Sequence, residues 1–288
     1  MASVPAFIMD YLPHTGDNEE HIVSGDKPRI GIVGFGYIGS YVYEQITTRP
    51  ELGLDVAFVY NRTREKLAEL PADLILDDLS GFATRQADLI VELAHPGISL
   101  DYGTAFLGQT DYMPLSLTAL ADERVEKELL ACAARSGTRL YIPHGAIVGL
   151  EALQEGREVW DGVTMVMKKN PDNLDFSDHP ELNADAIDAE TVLYDGPARG
   201  VCPLFPRNVN SHAALALGSI GFDRTRSVLV AIPGLDVSIL EIEARGQGVE
   251  VVIRRSNPMQ GVSGVFTLVA ALSSICRAKG PEAGLQIC

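Results

Sequence analysis

The sequence predicts an α/β protein in two parts, an N-terminal doubly wound parallel sheet followed by an α+β domain built on a mostly antiparallel sheet. Three observations carry this. A β-branched run, RIGIV, ends in glycines spaced GxGxxG and opens into a helical stretch. Strand-like and helix-like segments then alternate as far as about residue 150, and beyond it strand patterns joined by turns dominate. A chain of 288 residues, 46% hydrophobic and 22% charged, is long enough for about two domains and apolar enough to give each a core.

Residues 1–27 are polar and acidic, with Asp17, Glu19 and Glu20, and lack the basic start and apolar centre of a secretion signal. They are expected to form a flexible or loosely docked extension. The first domain is expected over 28–150. Gly34 permits the tight turn after the first strand, Gly36 leaves room for a pyrophosphate against the backbone, and Gly39 lets helix and strand pack closely. With Phe35, Tyr37 and Ile38 these residues are expected to cradle a dinucleotide, whose negative charge suits a helix N-terminus. The same glycine spacing also occurs in ordinary α/β turns. The strand before it and the helix after it favour the Rossmann reading.

The next strand, in LDVAFVYNRTREKL, follows at the spacing of a βαβ unit. Where an NAD-binding protein carries a carboxylate for the adenine ribose, this chain has Asn61, Arg62, Thr63 and Arg64. Loss of the carboxylate removes repulsion against a 2′-phosphate, and a guanidinium can bind that group in bidentate fashion. NADP is therefore the expected cofactor, with NAD also accommodated; the alternative is that Arg62 and Arg64 are a solvated helix start. The alternation continues through ADLIVELAH (strand), GISLDYGTAFLG (helix), TDYMPLS (strand), ADERVEKELLACAARSG (helix) and TRLYIPHGAI (strand into loop). Ligands on such sheets bind beyond the carboxyl ends of the strands. That rule selects Ala94, His95, Pro96, Ser116, His144 and Gly145 as neighbours of the nicotinamide.

The second domain is expected over 151–260, with strands in VTMVMKKNP, TVLYDGPARG, RSVLVAIPG, VSILEIEARG and VEVVIRRSNP. Residues 261–288 carry an apolar helix, GVSGVFTLVAALSSICR, expected to pack back on the first domain. Between these strands lies FPRNVNSHAALALG, in which Arg207, Asn208, Asn210, Ser211 and His212 precede a run of Ala, Leu and Gly. Five polar side chains at the mouth of an apolar helix suggest a ligand site.

A net charge of −16 argues against a nucleic-acid or anionic-membrane surface, because such partners need clustered Lys and Arg. Nowhere do about 18 uncharged apolar residues run together, so no membrane-spanning helix is expected. Cys132, Cys202, Cys276 and Cys288 are scattered, without a CxxC pair or a zinc-like His spacing, so no metal is expected and the thiols are read as reduced, in a cytoplasmic protein. The expected partner is a small molecule.

Five stretches, GIVGFGYIG, LSLTALAD, PHGAIVGLEAL, YDGPARGVCPLFPRNVN and SNPMQGVSG, resemble the L-aspartate dehydrogenase family, including its vertebrate-type members, from about Arg29 to the C-terminus. The resemblance implies an NAD(P)-dependent amino-acid dehydrogenase acting on the CH–NH2 group of L-aspartate. Hydride leaves Cα for the nicotinamide, and water converts the iminosuccinate to oxaloacetate and ammonia. It further implies a homodimer, and a cleft where Asn208 and Asn210 hold substrate or nicotinamide and Arg207 meets a carboxylate. Lys168 and Lys169 would add positive charge there, with Ser116 among the substrate-binding groups.

One departure bears on the chemistry. Many microbial members carry a catalytic histidine where this chain has Leu240, and leucine cannot move a proton. His212 is the candidate replacement, two residues beyond Asn210 and titrating near neutral pH, unless it only caps or packs the helix start. His144 is a second candidate, whereas His14, His21 and His179 are read as surface residues. Three functions stay open: an aspartate dehydrogenase, a related dehydrogenase or imine reductase with another substrate, and a cofactor-binding pseudoenzyme.

Overall fold

β-branched residues with no exposed face mark the middle of the first sheet. In the computed structural model, which describes residues 27–177, 182–260 and 263–280, β1 (Arg29–Val33) pairs in parallel with β2 (Asp55–Tyr60) on one side and β3 (Leu89–Glu92) on the other. β4 (Asp111–Pro114) extends the sheet, giving the order β2-β1-β3-β4. The N-terminal extension up to residue 26, His14, His21, His179 and Cys288 lie outside the described residues.

Both faces of this sheet are covered, which is why its strands are apolar on both sides. On one face α1 (Tyr37–Thr48) buries Val42 and Ile46 against Ile30 and Ile32. On the other, α2 (Pro96–Leu107) and α3 (Glu123–Ser136) bury Phe106, Leu107 and Leu129 against Phe58 and Ile90. The link from β2 to β3 is made of three 3-10 turns, Arg64–Leu67, Ala72–Leu74 and Leu79–Arg85, rather than an α-helix. The strand expected in TRLYIPHGAI is reduced to an isolated parallel bridge between Tyr112 and Leu140. Pro143 has no N–H to extend the ladder, and Gly145 turns the chain at φ +55°.

After α4 (Leu150–Glu155) the chain builds a six-stranded sheet from β5 (Gly162–Lys169), β6 (Thr191–Pro197), β7 (Thr225–Ala231), β8 (Val237–Gly246), β9 (Val249–Gln260) and β10 (Ser263–Gly264). Its order is β10-β9-β8-β5-β7-β6, and every pair is antiparallel except β5 with β7. Strict alternation in β5 turns Val163, Met165, Met167 and Lys169 to the buried face. Leu240 lies opposite Met167 and Arg255, on that same face. α5 (Ala198–Leu204) and α6 (Asn210–Gly218) cover part of it.

Two features join the halves. The 3-10 turn Leu117–Ala121, buried along its whole length, inserts between α3, α5 and α6, so that one apolar core runs through both domains. The last helix, α7 (Val265–Lys279), lies against α1, with Ala271, Leu272 and Ile275 completing that face of the first sheet.

Candidate active site

The site forms at the point where the strand order reverses. β1 sends its chain to one side and β3 to the other, leaving a crevice at their carboxyl ends. There Gly34 adopts φ +107°, and a side chain on it would come within 2.8 Å of the Leu93 carbonyl group. A Cβ on Gly39 would stand 2.0 Å from the Gly34 carbonyl oxygen, so helix and loop touch backbone to backbone. Gly36 differs: a Cβ there would meet nothing within 4 Å, because its face opens on the cleft. α1 begins at this point with no side-chain cap and no acidic residue in its first turn. Its first N–H groups therefore suit a phosphate.

A cleft of about 640 Å³ runs from this loop to the second sheet. Phe35, Tyr37 and Ile38 line it beside Gly34 and Gly36. Asn61 braces the loop, its Oδ1 accepting the Phe35 N–H at 2.9 Å and its Nδ2 donating to the Thr63 carbonyl at 2.8 Å. Arg62 and Thr63 line the same end, and so does Lys66, which the sequence reading did not single out. Arg64 is not on the cleft wall; it pairs with Asp77 at 2.6 Å.

The strand ends are tied by a residue that sequence inspection missed. Glu92, fully buried, accepts hydrogen bonds from the Ala94 and His95 N–H groups at 2.7 Å and from the Ser116 N–H and hydroxyl at 3.0 Å. Burial pushes its carboxyl up from the ordinary range, against the pull of these donors. The wall residues Ala94, His95 and Ser116 are thus fixed by one side chain, and His95 also caps α2 by accepting the Gly97 N–H at 3.1 Å.

The second domain supplies the opposite wall, which includes Arg207, Asn208 and Asn210. Asn208 accepts the Asp175 N–H at 3.0 Å, and Arg207 pairs with Asp175 at 3.0 Å, so both also hold the loop after β5. Ser177 and Arg207 together keep the Asp175 carboxyl below its ordinary range.

Three expectations are corrected here. Lys168 lies on the outer face of β5 and pairs with Glu241 at 3.1 Å; alternation gives the cleft to Lys169 instead, which is 4% exposed. The pattern MVMKK contained that signal, since a strand that buries Met165 and Met167 also turns residue 169 inward. His212 does not line the cleft. Asn210, Ser211 and Ala214 share the cleft-facing side of α6, whereas His212, about 200° round the helix from Asn210, faces β7 and bonds Ser227 Oγ through Nδ1 at 2.8 Å. Its Nε2 is buried with no hydrogen-bond partner, and burial, then the charge of Lys169, push its pKa down to about 3. His144 also turns from the cleft, its Nδ1 2.9 Å from Arg277 and its Nε2 3.2 Å from Glu151.

Lys169 and Arg255 therefore carry positive charge into the cleft from the second sheet. Burial, then the nearby Arg255, push Lys169 down to about 8. Arg255 lies over the Phe266 ring, 5.7 Å from its centroid, and donates to Asn257, while its Nε is buried without a partner.

Comparison with known proteins gives a consistent picture. The sequence profile described as "Aspartate dehydrogenase, C-terminal" matches residues 150–278, and that described as "Homoserine dehydrogenase, NAD binding domain" matches residues 34–143. The chain is 38% identical over 279 residues to the aspartate dehydrogenase domain-containing protein of Xenopus tropicalis, covering 91% of this chain and 98% of that protein. To the L-aspartate dehydrogenase of Ralstonia nicotianae it is 31% identical, covering 85% and 96% respectively. The crystal structure of aspartate dehydrogenase from Thermotoga maritima superposes with a TM-score of 0.66 at 23% identity, over 87% of this chain and 94% of that one.

Proposed function

This chain belongs to the aspartate dehydrogenase family, and from that premise we propose that it oxidises the α-amino group of L-aspartate with NADP as acceptor. The observation that carries the substrate class is the pairing of Lys169 with Arg255 inside the cleft. Two cations brought together out of water repel each other and lose hydration, and an anion seated between them offsets both costs. The buried, unpaired Arg255 Nε is a donor for such an anion. In a chain of net charge −16 this positive wall is local, which suits a small carboxylate. Arg207, at the mouth with Asp175, is the partner we assign to the second carboxylate, and Asn210 an amide contact to substrate or nicotinamide.

When bound, the nicotinamide supplies the hydride acceptor. The chain's own part begins at Gly36 and the first N–H groups of α1, which receive the pyrophosphate. Arg62 and Lys66, with Asn61 in place of a carboxylate, favour a 2′-phosphate and hence NADP. Glu92 holds the strand-end loops so that Ala94, His95 and Ser116 present a fixed surface to the ring. A homodimer through the outer face of the second sheet is part of this reading; Val252 is 66% exposed there, among the ion pairs Lys168–Glu241 and Arg254–Glu241.

The test is turnover in both directions, aspartate with NADP and oxaloacetate plus ammonia with NADPH, followed by nicotinamide absorbance. Oxidation of aspartate with a preference for NADP is expected. Leu240 favours a second reading, a related dehydrogenase of another substrate or a protein that binds cofactor without turnover. That reading takes precedence if folded protein binds NADPH and is silent in both directions.

A further inference from the structure

We propose that Lys169 is the proton acceptor of this site, its Nζ taking the proton that the substrate's α-ammonium must lose before oxidation. The proposal rests on the reading of the substrate as an α-amino acid. It starts from what the cleft wall contains. Among the described lining residues there is no Asp or Glu, and the one histidine, His95, belongs to the cofactor side, where its Nδ1 is engaged as the cap of α2. On the substrate side the ionisable lining groups among the described residues are Lys169, Arg207 and Arg255. An arginine does not give up its proton in a protein.

The placement of Lys169 agrees with this role. Lys168 pairs with Ile239 across the β5–β8 ladder, so Lys169 stands level with Ser238, two residues along β8 from Leu240 and on the same face. Leu240, which the family resemblance puts in place of a catalytic histidine, is therefore adjacent, on the neighbouring strand, to a buried amine. Burial disfavours the charged ammonium, and Arg255 disfavours it further, so the amine is available as a base near pH 8. A carboxylate seated against Arg255 screens that repulsion and raises the basicity of Lys169 as substrate binds. The step is a balanced transfer. One N–H bond of the substrate ammonium breaks, one N–H bond forms at Nζ, the positive charge moves from substrate to lysine, and the freed amine lone pair is the one that oxidation at Cα requires.

The experiment combines kinetics with a direct titration. For the unsubstituted protein, kcat/KM for aspartate should fall on the acid side with a break near pH 8. Lys169→Arg keeps the charge and removes the base. It should lower kcat by on the order of 10²–10⁴ while holding succinate within a few-fold of the parent Kd. Lys169→Ala should be rescued in part by added methylamine, in proportion to its unprotonated fraction. Labelling of Lys169 in the parent by acetic anhydride, read by mass spectrometry across pH, should reach half its limiting rate near pH 8, independently of how the variants fold. Four results overturn the proposal: Lys169→Arg turning over at the parent rate, Lys169→Ala showing no methylamine rescue, an acid limb that disappears in His95→Ala instead, or labelling that sets in only at the pH of ordinary lysines, roughly 10. Failure of the parent to oxidise aspartate overturns the substrate reading itself, and so is distinguishable from failure of the Lys169 assignment alone.

Discussion

Thr118 and Asn210 fasten the two walls of the cleft to each other: the Thr118 N–H donates to Asn210 Oδ1 at 3.3 Å, while the Thr118 hydroxyl donates to the Pro206 carbonyl at 2.9 Å. The contact joins the loop after β4 to the start of α6, so the cofactor side and the substrate side are set in register by one residue. Thr118→Val keeps the shape and removes the hydroxyl bond, leaving the part-buried Pro206 carbonyl short of a donor. A loss of about 1–2 kcal/mol in denaturant unfolding is expected, with a lower kcat/KM. Unchanged stability and kinetics would show that the clip is redundant.

Gly36→Val should fold normally, because Gly36 has negative φ and open space where the side chain would go. That space is the one assigned to the pyrophosphate. Cofactor binding should fall below detection while circular dichroism and Tm stay near the parent values. An ordinary NADPH titration of this variant would remove the dinucleotide from this loop.

Three basic residues follow β2 and should behave differently. Arg62→Ala and Lys66→Ala should each weaken NADPH by about 1–3 kcal/mol and leave NADH almost unchanged, as expected for charge-assisted contacts to the extra phosphate. Arg64→Ala should change neither, since that guanidinium is paired with Asp77 outside the cleft. Isothermal titration with both cofactors separates these outcomes, and equal losses for NADPH and NADH would refute the NADP assignment.

At the substrate end, Arg255→Ala should raise KM for aspartate by roughly 10- to 100-fold, the worth of a charged hydrogen bond, and Lys168→Ala should not. A KM effect of Lys168→Ala equal to that of Arg255→Ala would place the outer face of β5 in the site after all.

His212 makes a prediction about pH. Its folded pKa, about 3, lies below the ordinary value of 6.5, so between these limits the unfolded chain holds more protons than the folded one. Stability is therefore complete above about pH 6.5 and falls as the pH is lowered toward 3, by up to about 1.4 kcal/mol per pH unit. Urea unfolding across this range should show a shallower slope for His212→Gln than for the parent. An identical slope would mean that His212 does not titrate with unfolding. Because the ring is sealed from the cleft, the acid limb of any turnover in this variant should match that of the parent.

Much of the architecture was legible because it is local. Glycine spacing behind a β-branched run marks the first strand and helix, and the polar mouth Arg207–Asn210 does lie on the cleft. The misreadings have a common cause, which is direction. Whether residue 168 or 169 reaches the cleft depends on strand phase, and whether His212 meets substrate or Ser227 depends on the rotation of α6. Pattern gave the phase of β5 through its methionines; nothing in the composition of α6 gives its rotation. Glu92 and Lys66 were invisible for different reasons. The role of Glu92 comes from a partner far along the chain, Ser116, 24 residues away, and that of Lys66 from which side of the turn Arg64–Leu67 faces the cleft.

α7 has a consequence for how the protein is made. The nucleotide-binding half begins near residue 28, yet the side chains that complete the α1 face of its sheet, Ala271, Leu272 and Ile275, come after the whole substrate half in the sequence. During translation that face, covered by α1 alone, stays incomplete until the substrate half has been synthesised and has carried α7 back to it. The nucleotide-binding half is therefore finished only after the substrate half, and during that interval the apolar side of α1 is a natural surface for a chaperone to shield.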